Sequence, residues 1–402
     1  MAQPPSPLPD ALRALFGADE WIPFDRFMRF ALVDPDHGFY SQKKPVFGQK
    51  GHFVTAPMLG DWLAVVIAQE AASLARRLRE AGKTFCIREY GPGNGQLAAD
   101  LLANLGQLDC WPHRYECIEA SPSRQAEQAA RLSASPDAIF SAVERLWPKT
   151  QDPFDGLVLA NEFLDALPVR LFEWQPDHAE GPVLEWGLRH APDPAGSSLR
   201  SATNDPSIGL NWQAKPADRD FCSLVSARAQ AASQIGLGWR PGHRGEWCPE
   251  LVPWVKAVSS RLRFGEVLIF DYGYEAYELD HPDRPFGTLA GHSGHRRIDD
   301  WQALVAKPGT IDLTAHVNFT ELAQAFQEEG FEVELQTQAA WMLDRGILDQ
   351  ARQRLFTNTQ DSAGAPPSSH ASLAQLSHLQ MLLGDSAMGQ SFMVLSARRL
   401  SI

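Results

Sequence analysis

Residues 84–90 (TFCIREY) form a strand-like run that passes straight into Gly91-Pro92-Gly93-Asn94-Gly95, and the helical pattern QLAADLLANL follows at once. A strand that turns through glycines into a helix N-terminus leaves few architectures open. The glycines permit a sharp reversal and close approach of a ligand, while the helix presents free N–H groups to it. The alternation then continues. RYECIEA reads as a second strand, and SPSRQAEQAARL as a helix opened by a capping Ser. AIF is a short third strand, and DGLVLAN is a fourth, almost wholly apolar as a strand buried on both faces should be. GEVLIFDYG is a fifth; FTELAQAFQEEG is a helix leading into the strand FEVELQ, and SFMVLSARR is a closing strand. This order predicts an α/β fold with an open, doubly wound, Rossmann-like sheet.

Outside that core, the spacing predicts an N-terminal helical cap over residues 1–83. Its two helical stretches, 22–32 and 59–78, flank the polar, Gly-rich HGFYSQKKPVFGQKGHFVTAPML. A loop of that length inside a compact domain usually binds something. The remaining domain, 84–402, carries two insertions at about 171–255 and 339–390 and a His/Gly/Arg-rich lid at about 281–320. The second insertion holds two helical patterns joined by the low-complexity SAGAPPSSH, and no internal repeat is evident.

Composition narrows the partners. Asp plus Glu total 49 against 36 Lys plus Arg, a formal net charge of -13. An acidic surface of that size disfavours nucleic acid and anionic membranes and favours a basic partner. The five cysteines, Cys86, Cys110, Cys117, Cys222 and Cys248, form no C-x-x-C pair, which argues against a disulfide framework or thiolate zinc site and for a reducing compartment. The N-terminus lacks signal or transit character and no apolar run is long enough to span a bilayer, so a cytoplasmic location is expected. His281, His292, His295 and His316 lie near one another in sequence, but their spacing fits no zinc motif and no metal is expected.

Two ligand classes use a Gly-rich turn of this kind. Dinucleotides want G-x-G-x-x-G, with pyrophosphate at the helix dipole. Here the third glycine comes one position early, and Glu89 precedes the first by two. A carboxylate there opposes a pyrophosphate and suits a cationic ligand such as S-adenosylmethionine, with its ammonium and sulfonium groups. Glu119 ends the second strand, where an acid accepts hydrogen bonds from a ribose diol. Both nucleotide classes would use it, so Glu119 does not choose between them.

Asn161, Glu162, Asp165 and Pro168 follow the fourth strand directly (NEFLDALP). The carboxyl ends of parallel strands form the ligand crevice, which places these polar groups at the reacting centre. If Glu162 opens a helical turn, it shares a face with Asp165. Two carboxylates facing a methyl donor would hold a cationic nucleophile such as a guanidinium.

Taken in order, GFYSQ…GHFVTAPM, EYGPGNGQLAADLL, IEASP, LANEFLDALPV, LIFDYGY, GTLAGH and DLTAHVNFTELAQAFQEEGF resemble the MidA-type class I S-adenosylmethionine-dependent methyltransferases. The mitochondrial members are arginine methyltransferases that assist assembly of respiratory complex I. The resemblance runs from about residue 20 to the C-terminus. It implies that Glu89, Gly91 and Gly93 shape the methionine pocket, that Glu119 and the adjoining Ala120 meet the nucleoside, and that Asn161 and Glu162 close the site beside the methyl group. It further implies that Tyr40, Thr55 and Ala56 cover the cofactor, and that the acceptor is a protein, with a respiratory-complex subunit as the family's example. The family's G-D-F-[IV]-T-A-P-E reads Gly51 to Met58 as GHFVTAPM here, and its R-G-T-L reads Phe286-Gly287-Thr288-Leu289.

The expected reaction is methyl transfer from S-adenosyl-L-methionine to arginine side chains, with Glu162 and Asp165 orienting the acceptor and Asn161 beside them. Two alternatives stand beside it. One is a non-catalytic assembly factor that keeps the fold as a scaffold, which the missing acids at His52 and Met58 leave open. The other is a nicotinamide-dependent oxidoreductase, against which the glycine spacing and Glu89 speak.

Overall fold

Eight strands build the central sheet, seven in one row and the two-residue Val317–Asn318 paired to Leu262–Tyr274 off that row, and the burial of the row explains its composition. In the computed structural model of this chain, the described residues are 8–16, 20–42, 56–133, 144–148, 152–190, 209–356, 370–384, 389 and 392–400. The strands of the row are β1 (Cys86–Tyr90), β2 (Arg114–Ile118), β3 (Glu144–Leu146), β4 (Phe154–Asn161), β5 (Leu262–Tyr274), β6 (Glu332–Thr337) and β7 (Phe392–Arg399). Their spatial order is β6-β7-β5-β4-β1-β2-β3. β3, β2, β1, β4 and β5 run parallel, and β7 runs antiparallel to both β5 and β6. The α/β, doubly wound expectation is met.

The chain starts in the middle of this sheet, moves out through β2 and β3, and returns to the other side of β1 with β4. A crevice at the carboxyl ends of β1 and β4 follows from that reversal. β4 is buried from Phe154 to Ala160, the reason for its nearly unbroken apolar run. The segment AIF falls outside the described residues; the third strand observed is β3, a few residues further on.

Helices cover the sheet. They include α1 (Trp62–Glu80), α2 (Gln96–Gln107), α3 (Pro122–Ser133), α4 (Leu251–Arg261) and α5 (Phe319–Glu328). Every residue of α1 from Trp62 to Ala68 is buried, so its first two turns are apolar all round rather than amphipathic. Together with α2, β1, β2, β4 and Trp341 it makes one core cluster.

The chain divides into two compact units. The sheet above belongs to the unit formed by residues 47–165, 252–273 and 317–402. The other comprises residues 1–46, 166–251 and 274–316. Its five-stranded sheet joins Trp21–Pro23, Val183–His190, Arg170–Trp174 and His243–Trp247 in that order, with Leu210–Pro216 also paired to Val183–His190. The helix Arg219–Gln234 lies on this sheet through Phe221 and Val225, which cluster with Phe172, Val183 and Trp239. Asp218 caps it by accepting from Phe221 N at 2.9 Å. The helical stretch expected from residue 22 starts two residues later, at Phe24, because Trp21–Pro23 is a strand. A three-residue strand has too few positions to show alternation in the sequence.

Within this second unit a small sheet joins Arg296–Ile298, Ala290–Ser293 and Asp312–Thr314. Tyr40 Oη donates to Asp312 Oδ1 at 2.7 Å, and Gln42 Nε2 donates to the carbonyl of Gly309. Burial pushes the Asp312 carboxyl up to about 7, with the Tyr40 hydroxyl opposing. Glu246, also buried, accepts from the N–H groups of Thr288 and Leu289 at 2.7 and 2.9 Å and thereby holds the 286–289 turn. Phe286 itself is 71% exposed.

Candidate active site

The glycine turn has left-handed backbone at three alternate positions: Gly91 (φ +62°), Gly93 (φ +54°) and Gly95 (φ +77°). Side chains are excluded at the first for a second reason. A Cβ at Gly91 would stand 2.8 Å from Phe163 Cδ2, well inside van der Waals contact. Backbone from β1 and the ring that follows β4 thus fill the same small space. Gly95 leads into α2, and Asn94 Oδ1 accepts from Gln96 N at 3.0 Å at its start.

Glu89, one residue from the end of β1, is buried, and Tyr115 Oη donates to its Oε2 at 2.6 Å. Burial pushes this carboxyl up to about 7, and no cation among the described residues offsets it. Glu119 lies just beyond β2. Its carboxylate accepts from Ser121 N at 2.8 Å and from Gln128 Nε2 at 3.3 Å. Burial raises its pKa while these donors lower it. Ala120 adjoins it at the start of the turn into α3.

Gln128 is a residue that the sequence reading missed. Fully buried on α3, it donates from Nε2 to the Gly93 carbonyl at 2.8 Å and accepts at Oε1 from Trp147 Nε1 at 2.7 Å. It therefore links the glycine turn to the Glu119 carboxylate. A signal existed: Arg124, Gln128 and Leu132, at i, i+4 and i+8, form the buried stripe of α3, and polar residues on a buried stripe require partners. Arg131 adds a bond from Nε to the Asn94 carbonyl at 2.9 Å.

At the end of β4, Asn161 Nδ2 donates to Glu162 Oε1 at 3.2 Å. Asn161 Oδ1 is buried and has no hydrogen-bond partner among the described residues. The helical turn expected at Glu162 is absent. Glu162 has φ +50°, residues 162–165 contain no helix, and the shared-face argument for Glu162 and Asp165 fails with it. What orders this segment is Asp271, on β5. Its Oδ2 accepts from the backbone N–H groups of Phe163, Leu164 and Asp165 at 3.1, 2.7 and 3.4 Å, and its Oδ1 from Tyr272 N at 2.9 Å. Burial raises the Asp271 carboxyl against those donors. The Tyr272 phenol is also raised, by burial first and then by the charges of Glu162, Asp165 and Asp271. The Tyr272 hydroxyl therefore lies within electrostatic reach of three carboxyls, two just past β4 and one on β5.

Of the other expected site residues, Ala56 opens a 3-10 turn, Ala56–Leu59, against α1 and α2 in the same unit. Tyr40 belongs to the other unit, in the contact with Asp312 already described. Thr55, with His52, lies outside the described residues. In the His-bearing stretch, His316 N donates to Thr288 Oγ1 at 2.9 Å. Burial holds its imidazole down at about 4. No group of three or more His, Cys, Asp or Glu side chains comes together to hold a metal among the described residues.

Residues 59–337 match the family described as "Putative S-adenosyl-L-methionine-dependent methyltransferase". The chain belongs to this family. A Burkholderia thailandensis structure bound to S-adenosyl-homocysteine is 29% identical, with a TM-score of 0.78 over 99% of this chain and 95% of that one. Mouse protein arginine methyltransferase NDUFAF7, mitochondrial, is 26% identical over 393 residues, covering 91% of this chain and 78% of its own. The zebrafish protein of the same name is 27% identical over 408 residues, covering 93% and 83%. The chain is an S-adenosyl-L-methionine-dependent methyltransferase, with S-adenosyl-L-methionine as its cofactor.

The site fits that cofactor on its own chemistry. A buried carboxylate without a cation and a buried amide oxygen without a donor both call for a positively charged N–H group.

Proposed function

We propose that this methyltransferase acts on arginine side chains of a protein. The observation that carries the reading is the pair of carboxylates just past β4, Glu162 and Asp165, both close enough to Tyr272 to raise its phenol. Such a concentration of negative charge favours a cationic acceptor, and a guanidinium pairs with carboxylates through two parallel hydrogen bonds. The NDUFAF7 relatives, named as protein arginine methyltransferases, support the same acceptor. A net charge of -13 suits a basic polypeptide.

The bound donor supplies a methyl carbon already activated by its sulfonium. The protein then has to align the acceptor nitrogen and exclude water. In this proposal Glu89 and Asn161 Oδ1 receive the ammonium end of the donor, Gly91 and Gly93 shape its bed, and Glu119 takes the ribose hydroxyls. Glu162 and Asp165 orient the guanidinium and disperse its charge, and Glu162 is the group placed to accept the proton released as the new N–C bond forms.

Tritiated S-adenosyl-L-methionine incubated with lysate proteins tests this. Wild-type protein should place label on arginine, located by mass spectrometry, and Glu162→Ala should lower incorporation by about 100-fold. Equal labelling by both proteins ends the role given to Glu162. Label found on another side chain ends the arginine assignment.

A further inference from the structure

One carboxylate oxygen on β5 accepts three consecutive backbone N–H groups from the loop after β4, and this loop begins at a residue with left-handed backbone. We propose that Asp271 is a positioning residue for methyl transfer: through the N–H groups of Phe163, Leu164 and Asp165 it fixes the turn that carries Glu162 and Asp165. The inference rests on the reading that Glu162 and Asp165 face the acceptor.

The geometry is specific. In the parallel register Asn161 stands opposite Phe270, and Glu162 N donates to the Phe270 carbonyl at 2.9 Å. That bond is the last regular step of the β4–β5 ladder. Beyond it the backbone at Glu162 swings to φ +50°, a left-handed region that is strained for a non-glycine residue. The next three N–H groups would then be left without strand partners. Asp271, fully buried, collects all three on Oδ2 at 2.7–3.4 Å. Oδ1 is engaged by Tyr272 N, so the carboxylate is held at both ends and has little freedom to rotate.

Two consequences follow from the chain itself. The Phe163 ring sits 2.8 Å from where a Gly91 Cβ would be, so a shift of this loop changes the floor of the donor turn and the direction of Glu162 together. Phe163 also meets Tyr90 and Trp254, with ring centroids 5.8 and 5.9 Å away, which holds the ring side of the loop independently of Asp271. Loss of the carboxylate therefore frees the polar side of the loop while the aromatic side stays packed. Asp271 makes no contact with donor or acceptor in this account; it acts through the backbone it holds.

The test compares wild type, Asp271→Ala, Asp271→Asn and Glu162→Gln. Two readouts are used: the initial rate of tritium transfer from saturating S-adenosyl-L-methionine into one fixed lysate protein fraction, and calorimetric affinity for S-adenosylhomocysteine. Asp271→Ala should lose about 100-fold in rate, the scale of a misplaced reacting group, while affinity changes by less than about threefold. Asp271→Asn keeps one carbonyl oxygen for the three N–H groups and should recover at least about a tenth of the wild-type rate. A wild-type rate for Asp271→Ala overturns the proposal, and so does an affinity that falls in step with the rate, since this would mark general support of the pocket. If Asp271→Ala does not fold, Asp271→Asn decides. A rate reduced by about threefold to tenfold at unchanged affinity upholds the proposal, and a wild-type rate or a parallel loss of affinity overturns it. Full activity of Glu162→Gln beside an impaired Asp271→Ala removes the acceptor reading of Glu162 without touching the positioning role.

Discussion

Gln128 and Gly93 are joined by a 2.8 Å hydrogen bond from the side-chain amide to the turn carbonyl, and the same nitrogen lies 3.3 Å from the Glu119 carboxylate. One buried side chain thus sets the distance between two strand ends. Gln128→Leu should strand the Gly93 carbonyl and Trp147 Nε1 and remove one of the donors to Glu119, destabilising the protein by about 1–3 kcal/mol in denaturant melts. Affinity for S-adenosylhomocysteine should fall at least about tenfold in calorimetry, because the turn and Glu119 lose their common support. Wild-type affinity in the folded variant would remove Gln128 from the site.

Glu89 makes donor binding depend on pH. Its carboxyl is raised to about 7 from an ordinary 4.5, so the folded protein holds that proton more tightly than the unfolded chain. Its contribution to stability is favourable at low pH and is lost as pH rises from 4.5 through about 7. A cationic ligand selects the ionised form, so binding should release a proton and weaken by about tenfold per pH unit below 7. Calorimetry in buffers of different ionisation enthalpy reads both effects. Glu89→Gln should bind more weakly at pH 8, show no proton release, and gain relative stability above neutrality. A pH-independent affinity in the wild type would refute the assignment of Glu89 to the donor's cationic end.

Gly91 tolerates no side chain on two independent grounds, its φ of +62° and the Phe163 ring 2.8 Å from a would-be Cβ. In Gly91→Val the left-handed backbone alone costs about 1–2 kcal/mol, and the ring must also move. Binding of S-adenosylhomocysteine should drop below detection while circular dichroism shows the sheet intact. Retained affinity would mean that the donor is not seated on this turn.

The strands that carry the site were readable because each is buried on both faces, which removes polar residues and leaves a run such as FDGLVLAN without the ambiguity of an amphipathic segment. The glycine turn was readable because its backbone admits little else. The path after β4 was not. NEFLDA has the acids and spacing of a helix start, but its first acid occupies a left-handed position and its N–H groups are taken by Asp271, whose bond to Leu164 spans 107 residues. Nothing local records that partner. Gln128 was hidden for the opposite reason, since a glutamine within a helix looks solvated until the buried stripe it shares with Arg124 and Leu132 is traced. Trp21–Pro23 is too short to register as a strand, and its pairing partners lie far along the chain.

That last pairing bears on how the polypeptide is made. Trp21 Nε1 donates to the carbonyl of Gln213, 192 residues later, and Trp21–Pro23 forms its ladder with Val183–His190. A nascent chain leaving the ribosome must therefore carry Trp21–Pro23 unpaired until Val183–His190, beyond the whole glycine-turn region and β4, has been synthesised. Sequence separations of this size slow folding and prolong exposure of apolar surface. Chaperone demand during translation should then be set by the opening residues waiting for their complement, and a circular permutant that brings Trp21 nearer to Val183 should mature faster.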